Sequence, residues 1–271
     1  MVKTVFIGGG NMATALIGGM ARSGGVAGVL VVEPDAGQRS VLERDHGVAT
    51  LGAADASLAD ASLVVWAVKP QAFSAASMAA GPHVSGALQL SVMAGVRSEA
   101  IVRATGSERV VRAMPNTPAL IGEGIAALFA RAGATASDRV RCEALLAPTG
   151  ATMWLDDEGA LDAVTALSAS GPAYVFYLLE AMIDAGTAMG LTLDQSRRLA
   201  VQTVRGSAAL VAGSQDGPAQ LRERVTSKGG TTQAAVAVLD GRGVKAAFVA
   251  AIVAARNRAA VLGDELERPI T

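Results

Sequence analysis

Short apolar runs alternate with segments of mixed polarity over the first half of the chain. Each run ends at glycine, proline or polar residues, and the segments between runs are rich in helix-forming residues. This alternation is typical of parallel strands joined by crossover helices, and it predicts an α/β fold of the Rossmann type, a doubly wound sheet. Strands are predicted at residues 5–7, 29–32, 63–68, 88–93, 110–114, 125–130 and 151–155, and helices at 12–22 and 137–146.

The alternation disappears after residue 158, and long helical patterns replace it. Residues 173–189 carry only two charges, Glu180 and Asp184, so this helix is apolar on nearly every side and must be buried. Thr192 and Gln195 form a capping-box pattern for the next helix. Further helices are predicted at 218, at 232–239 and at 244–266. We therefore expect a Rossmann-type α/β domain at 1–157 and an all-helical C-terminal domain at 158–271.

Composition narrows the range of partners. The chain has 271 residues, 51% of them hydrophobic, and a formal net charge of −1, which gives no general attraction to nucleic acid or anionic membranes. One monomer of this size cannot easily surround so apolar a helix, so a second copy is expected to cover it.

A single cysteine, Cys142, excludes an intramolecular disulfide framework. The start of the chain lacks a signal-peptide pattern, so a cytoplasmic, soluble protein is expected.

The first strand breaks into a glycine-rich turn. Gly8, Gly10 and Ala13 match the spacing G-x-G-x-x-A, in which the first glycine makes the turn and the second admits a pyrophosphate. The helix that follows would direct N–H groups and its positive dipole end at the phosphates. Glu33, at the end of the second strand, is placed to accept the ribose hydroxyls, which favours NAD, although Arg39 nearby could offset repulsion of a 2′-phosphate.

Two other strand ends should border the same crevice, because ligands of such sheets lie beyond the carboxyl ends of the strands. One carries Lys69, which could reach a cofactor hydroxyl or phosphate or could simply be solvated. The other carries Met93, Ala94 and Gly95. The turn at 115–118 has two prolines around Asn116 and Thr117, and it is either a rigid positioning element or only a stiff turn.

A second polar glycine cluster lies between two predicted helices at 225–232, with the sequence VTSKGGTT. Backbone N–H groups of such a turn can form a nest for an anion smaller than a dinucleotide, such as a substrate carboxylate. An ordinary interhelical loop would also use these residue types.

Five motifs together resemble the pyrroline-5-carboxylate reductases: FIGGGNMA at 6–13, AVKPQ at 67–71, MPNTPA at 114–119, ALSASGPAY at 166–174 and VTSKGGTT at 225–232. The resemblance implies reduction of 1-pyrroline-5-carboxylate to L-proline by hydride transfer from NADH or NADPH, the last step of proline biosynthesis. It also implies a helical dimerisation domain and a homodimer, with dimers often assembling further.

The resemblance also implies site residues. Substrate contacts fall on Glu158, Ser227, Gly230, Thr231 and Thr232, with the Thr232 hydroxyl as the catalytic group. Three positions depart from the family pattern: Lys228 replaces a common proline, Ala169 a common glycine, and Ala54 an asparagine near the adenine ribose. Cofactor contacts fall on Ile7, Gly8, Gly9, Gly10, Asn11, Met12, Glu33, Ala67, Val68, Lys69, Pro70, Met93, Ala94 and Gly95.

Few residues outside these motifs suggest another kind of catalysis. His46 and His83 lie in polar turns outside any Ser/His/Asp set or metal cluster, so neither hydrolysis nor a metal site is expected. A protonated cyclic imine is already an electrophile, so its reduction needs mainly orientation. Two alternatives stay open at this point: a reductase or dehydrogenase of another small acid that uses Lys69, and a nicotinamide-sensing dimer without turnover.

Overall fold

The computed structural model describes residues 3–267, apart from the side chain of Glu267. These residues form two compact units. One unit contains the chain up to Ser170 together with the residues from Ala255 onward, and the other is Gly171–Ala254. The boundary predicted at residue 157 stays a prediction.

The first unit is built on one eight-stranded sheet with the strand order β3-β2-β1-β4-β5-β6-β7-β8. Neighbouring strands are parallel except β6 and β7, which are antiparallel. The predicted doubly wound sheet is confirmed. Its strands are β1 (Lys3–Ile7), β2 (Val29–Val32), β3 (Ala49–Leu51), β4 (Ala61–Trp66), β5 (Leu88–Ser91), β6 (Val110–Met114), β7 (Gly124–Ala130) and β8 (Gly150–Leu155).

Apolar side chains cover both faces of this sheet. One core contains Phe6, Leu16 and Leu128, and the other contains Trp66, Leu58 and Ile101, all fully buried. Because successive side chains of a strand point to opposite faces, strands buried on both sides are apolar throughout. The helices of this unit are α1 (Asn11–Arg22), α2 (Ala36–His46), α3 (Phe73–Ala80), α4 (Ser98–Thr105), α5 (Ala136–Leu146) and α6 (Ala160–Val164).

Two predicted strands are shorter than expected at their carboxyl ends. The strand predicted at 63–68 ends at Trp66 and the one at 88–93 ends at Ser91. In both cases the residues that follow leave the sheet as loops: Ala67 still donates to the Ile7 carbonyl at 2.8 Å, and Val92 to the Trp66 carbonyl at 3.0 Å. These loops carry the residues predicted to bind the cofactor.

The second unit is helical, as predicted. It contains α7 (Gly171–Ala188), α8 (Leu193–Ala212), α9 (Pro218–Arg224), α10 (Thr231–Gly241) and the first part of α11 (Val244–Glu267), whose last turns belong to the first unit. The predicted capping box of α8 is confirmed, since the Thr192 hydroxyl accepts from the Gln195 N–H and the Gln195 side chain accepts from the Thr192 N–H.

Candidate functional site

The glycine turn between β1 and α1 has the geometry that a dinucleotide requires. Gly8 has a φ of 97°, and a Cβ there would lie 2.8 Å from the carbonyl oxygen of Ala67, so only glycine fits. A Cβ at Gly10 would meet nothing within 4 Å, which leaves open space where a pyrophosphate would approach the backbone. No side chain caps α1, so its first N–H groups are available to an anion. The turn therefore fits the cofactor that the spacing predicts.

The middle glycine of this turn is clamped from both sides. The Gly9 N–H donates to Glu33 Oε2 at 2.8 Å, and the Gly9 carbonyl accepts from Gln38 Nε2 at 2.6 Å. The other oxygen of the same carboxylate, Glu33 Oε1, accepts from the Asp35 N–H at 2.9 Å. Glu33 is thus fixed by two backbone donors beside the turn, and each of its oxygens keeps a lone pair for a ribose hydroxyl.

Arg39 lies beside this carboxylate. Its Nη1 donates to the carbonyl oxygens of Glu33 and Pro34, at 2.8 Å each, and its guanidinium packs near Gly52. The side chain therefore braces the end of β2, at the point where a cation could also meet a 2′-phosphate.

Strand pairing brings the other predicted cofactor residues to the same edge of the sheet. Ile7 pairs with Trp66, and Trp66 pairs with Ser91, so the carboxyl ends of β1, β4 and β5 are adjacent. The Lys69 side chain is exposed after β4, and Met93 is buried after β5. The edge that gathers these loops is where ligands of doubly wound sheets bind.

A buried polar cluster lies next to the loop after β5. Glu158 accepts from the Ser98 N–H and the Ser98 hydroxyl, both at 2.6 Å, and from Arg112 Nη1 at 2.8 Å. The Arg112 side chain is only 4% exposed, and its Nε has no hydrogen-bond partner among the described residues. The sequence reasoning missed Arg112 and Ser98, although a charged residue inside the apolar run of β6 was a usable signal.

Opposing effects set the pKa of Glu158. Burial by itself raises the pKa of this carboxyl, but the hydrogen bonds from Ser98 and the charge of Arg112 outweigh burial and lower it below its ordinary value. Burial also lowers the pKa of Arg112. Glu158 is therefore ionised at neutral pH and engaged by three donors. Its predicted contact with the substrate stays a prediction.

The second glycine cluster, in the helical unit, ends at the start of α10. Gly229 has a φ of 75°, and its N–H donates to Gln233 Oε1 at 2.6 Å. A Cβ at Gly230 would lie 2.5 Å from the Ser227 hydroxyl oxygen and 3.1 Å from the Ser227 carbonyl oxygen, so the turn packs closely around this residue. Gly230 is the N-cap of α10 and no side chain caps the helix. Thr232 is therefore the second residue of the helix and not its N-cap.

Metal ligands and the single thiol were the other candidate groups for chemistry. Within residues 3–267 no group of three or more His, Cys, Asp or Glu side chains could hold a metal. Burial raises the pKa of the Cys142 thiol to about 12, so this thiol is not a nucleophile at neutral pH.

The long helices expose apolar side chains in a single chain. Phe176, Tyr177 and Leu178 on α7 are each more than half exposed, as is Val249 on α11. By length and composition alone, Ala160–Ala188 and Val244–Leu266 could cross a membrane, a test that core helices of soluble proteins also pass. Apolar area of this extent requires a covering partner.

Comparison with known proteins finds two family models that match this chain. Residues 158–262 match the family model described as pyrroline-5-carboxylate reductase dimerisation, and residues 3–95 match that of the NADP oxidoreductase, coenzyme F420-dependent. The pyrroline-5-carboxylate reductase of Pseudomonas aeruginosa is 40% identical over 267 residues, covering 97% of this chain and 98% of that protein.

Two solved structures of such reductases are similar to this chain over almost its whole length. The Plasmodium falciparum pyrroline carboxylate reductase with NADP bound is 28% identical, has a TM-score of 0.87, and is matched over 97% of this chain and 98% of its own. The pyrroline-5-carboxylate reductase from Coxiella burnetii is 31% identical, with a TM-score of 0.86 and 99% of each chain covered.

Proposed function

The chain belongs to the pyrroline-5-carboxylate reductase family, and on that premise we propose which of its residues carry out the reaction. It is an oxidoreductase that reduces 1-pyrroline-5-carboxylate to L-proline with NADH or NADPH, the last step of proline biosynthesis. The observation that carries this conclusion is the identity of 40% with a relative of that name over almost the whole length of both chains.

Gly8, Gly9 and Gly10 with the start of α1 bind the pyrophosphate, and Glu33 binds the adenosine ribose. The positive φ of Gly8, the open space at Gly10 and the uncapped helix support the first assignment. The fixed carboxylate of Glu33 supports the second. The remaining contacts come from the loops that follow β1, β4 and β5: Ile7, Asn11, Met12, Ala67, Val68, Lys69, Pro70, Met93, Ala94 and Gly95.

The bound cofactor supplies the hydride. The chain's own residues have to orient the imine, hold its carboxylate and manage one proton. Ser227, Gly230 and Thr231 bind the carboxylate, because the first N–H groups of α10 have no acceptor inside the helix and lie at its positive dipole end. Thr232 donates a hydrogen bond to the ring nitrogen and helps to deliver its proton.

Exchange of Thr232 tests this assignment. Thr232→Ala should lower kcat about 100-fold or more, the usual effect of losing a positioned proton donor, while Tm changes little because Thr232 caps no backbone group. Thr232→Ser keeps the hydroxyl and should recover most of the activity. The matched control is Thr231→Ala, which removes the neighbouring hydroxyl from the same helix start and should affect KM more than kcat.

Steady-state kinetics from pH 6 to 9 with the imine and reduced cofactor provide the measurement. Near wild-type turnover of Thr232→Ala over this range would show that a water or the already protonated imine supplies the proton.

A cytoplasmic homodimer, which can assemble further, is the form in which this enzyme acts. The exposed apolar side chains of α7 and α11 support a second copy as the covering partner, since both helices lie within the region that matches the family's dimerisation model. The near-neutral net charge favours a small-molecule substrate over nucleic acid or an anionic membrane surface.

A further inference from the structure

We propose that Glu158, held by Arg112, is a positioning residue that fixes the loop 93–97 and so shapes the half of the cofactor site that receives the nicotinamide. The inference rests on the proposed binding of the cofactor by Met93, Ala94 and Gly95. It adds a role that is separable from the substrate contact predicted for Glu158.

The first argument is position. Loop 93–97 leaves β5 and ends where α4 begins at Ser98. Glu158 binds both polar groups of Ser98, the backbone N–H and the hydroxyl, at 2.6 Å each. The carboxylate therefore fixes the C-terminal end of the loop to the segment just before α6, which begins two residues after Glu158.

The second argument is rigidity. Arg112 comes from β6, the strand next to β5, and its buried guanidinium donates to the Glu158 oxygen that also receives the Ser98 N–H. Charge-assisted hydrogen bonds in a desolvated site are strong and directional. A carboxylate held in this way cannot change rotamer without leaving the Arg112 charge buried and unpaired, which is costly.

The third argument is that further contacts hold the same loop. Arg97 forms ion pairs with Asp162 at 3.9 Å and with Asp264 at 3.3 Å. Gly95 has a φ of 75° and packs so closely on Gly263 that a Cβ at Gly263 would lie 3.3 Å from the Gly95 carbonyl oxygen. At its other end, the Met93 N–H donates to the Ser91 hydroxyl at 3.3 Å.

The loop is therefore ordered before any cofactor arrives, and binding does not have to fix it. The glycine turn and Glu33 do not depend on this cluster, because they are held by Gln38 and by the end of β2. In the strand order, the end of β2 with Glu33 and the end of β5 lie on opposite sides of the β1 turn, so loop 93–97 is on the side away from the adenosine ribose. Loss of Glu158 should therefore weaken contacts to the nicotinamide half of the cofactor and leave the adenosine half unchanged.

Binding measured without the imine tests the proposal. Glu158→Met keeps the length of the side chain and removes both acceptor oxygens, so the N–H and the hydroxyl of Ser98 lose their partner. By isothermal titration, the Kd for NADH should rise about tenfold, while the Kd for ADP, which lacks the nicotinamide half, should stay within about twofold. A milder variant, Ser98→Ala, removes the hydroxyl that donates to Glu158 and accepts from Arg131 Nη1 at 3.4 Å. It keeps the Arg112 ion pair and should change the two Kd values in the same pattern.

Asp138→Asn is the matched control. Asp138 is a buried carboxylate paired with Arg109 at 2.6 Å. Arg109 precedes β6 and so lies at the amino end of that strand, whereas the cofactor loops follow the carboxyl ends of the strands. This variant should lower Tm and leave both Kd values unchanged.

Three results would overturn the proposal. One is an unchanged Kd for NADH in both Glu158→Met and Ser98→Ala, with only KM for the imine raised, which would make Glu158 a substrate ligand alone. Another is equal weakening of NADH and ADP, which would indicate general loosening of the domain. The third is the same pattern in Asp138→Asn. Failure of the wild-type protein to bind either nucleotide would instead refute the proposed cofactor site.

Discussion

Glu33 shows how one carboxylate can serve both the backbone and a ligand. Its two oxygens accept from the N–H groups of Gly9 and Asp35, so the side chain cannot turn away when a ligand approaches. A ribose with free hydroxyls gains two acceptors there, whereas a 2′-phosphate meets a fixed negative charge. Arg39 is occupied by the carbonyls of Glu33 and Pro34 and compensates only in part.

Replacement of Glu33 should therefore change cofactor choice. We expect the wild-type protein to use NADH at least as well as NADPH, and Glu33→Ser to shift the ratio of kcat/KM values about tenfold toward NADPH. Asp35→Asn is the control, because it removes a nearby charge and keeps an acceptor for the Gln38 N–H that caps α2. Steady-state kinetics with both cofactors give the ratio, and an unchanged ratio in Glu33→Ser would mean that Glu33 does not face the ribose.

Single residues of the glycine turns could be predicted from the sequence. The spacing of Gly8, Gly10 and Ala13 follows from the tight turn and the close backbone approach that a pyrophosphate requires. The long-range hydrogen bonds that hold the candidate site could not be predicted in this way. Gln38 reaches Gly9 across 29 positions, and Arg112 reaches Glu158 across 46. Such contacts depend on how strands and helices pack, and a local pattern does not record which distant carbonyl or carboxylate a side chain will meet.

At the scale of elements, strands buried on both faces were the easiest to predict. β2 and β6 have the expected bounds, since each run ends at glycine, proline or a charged residue. β3 was missed because it is only three residues long, Ala49–Leu51, and contains a polar threonine. It forms because it pairs with β2, which supplies the hydrogen-bond partners that its own composition does not indicate.

The exposed apolar side chains of helices α7 and α11 lead to a prediction about assembly. The helix predicted to be buried is largely exposed in one chain, so the missing cover should be a second subunit, in an interface well above the roughly 1,600 Å² of ordinary complexes. Sedimentation at low micromolar concentration should show no monomer. Tyr177→Glu, on the exposed face of α7, should shift the protein toward monomer.

Met78→Glu is the matched control for assembly. Met78 is equally exposed but lies on α3 in the first unit, so this variant should sediment as the wild type does. A single wild-type species of monomer mass with full activity would contradict the assembly prediction.

At the scale of the whole molecule, the sequence predicted the family because its motifs come from both ends of the chain. The glycine turn alone is shared by many dinucleotide-binding proteins, whereas its combination with SGPAY and SKGGTT resembles one family. The assigned chemistry rests on orientation, hydrogen bonding and the bound cofactor.

Reduction of the imine is the most direct test of this account. The purified protein should oxidise NADH or NADPH only when 1-pyrroline-5-carboxylate is present, and one L-proline should form for each cofactor oxidised. Quantifying proline together with the loss of cofactor absorbance measures both sides of the reaction. Protein that binds the cofactor but forms no proline from the imine would contradict the central claim.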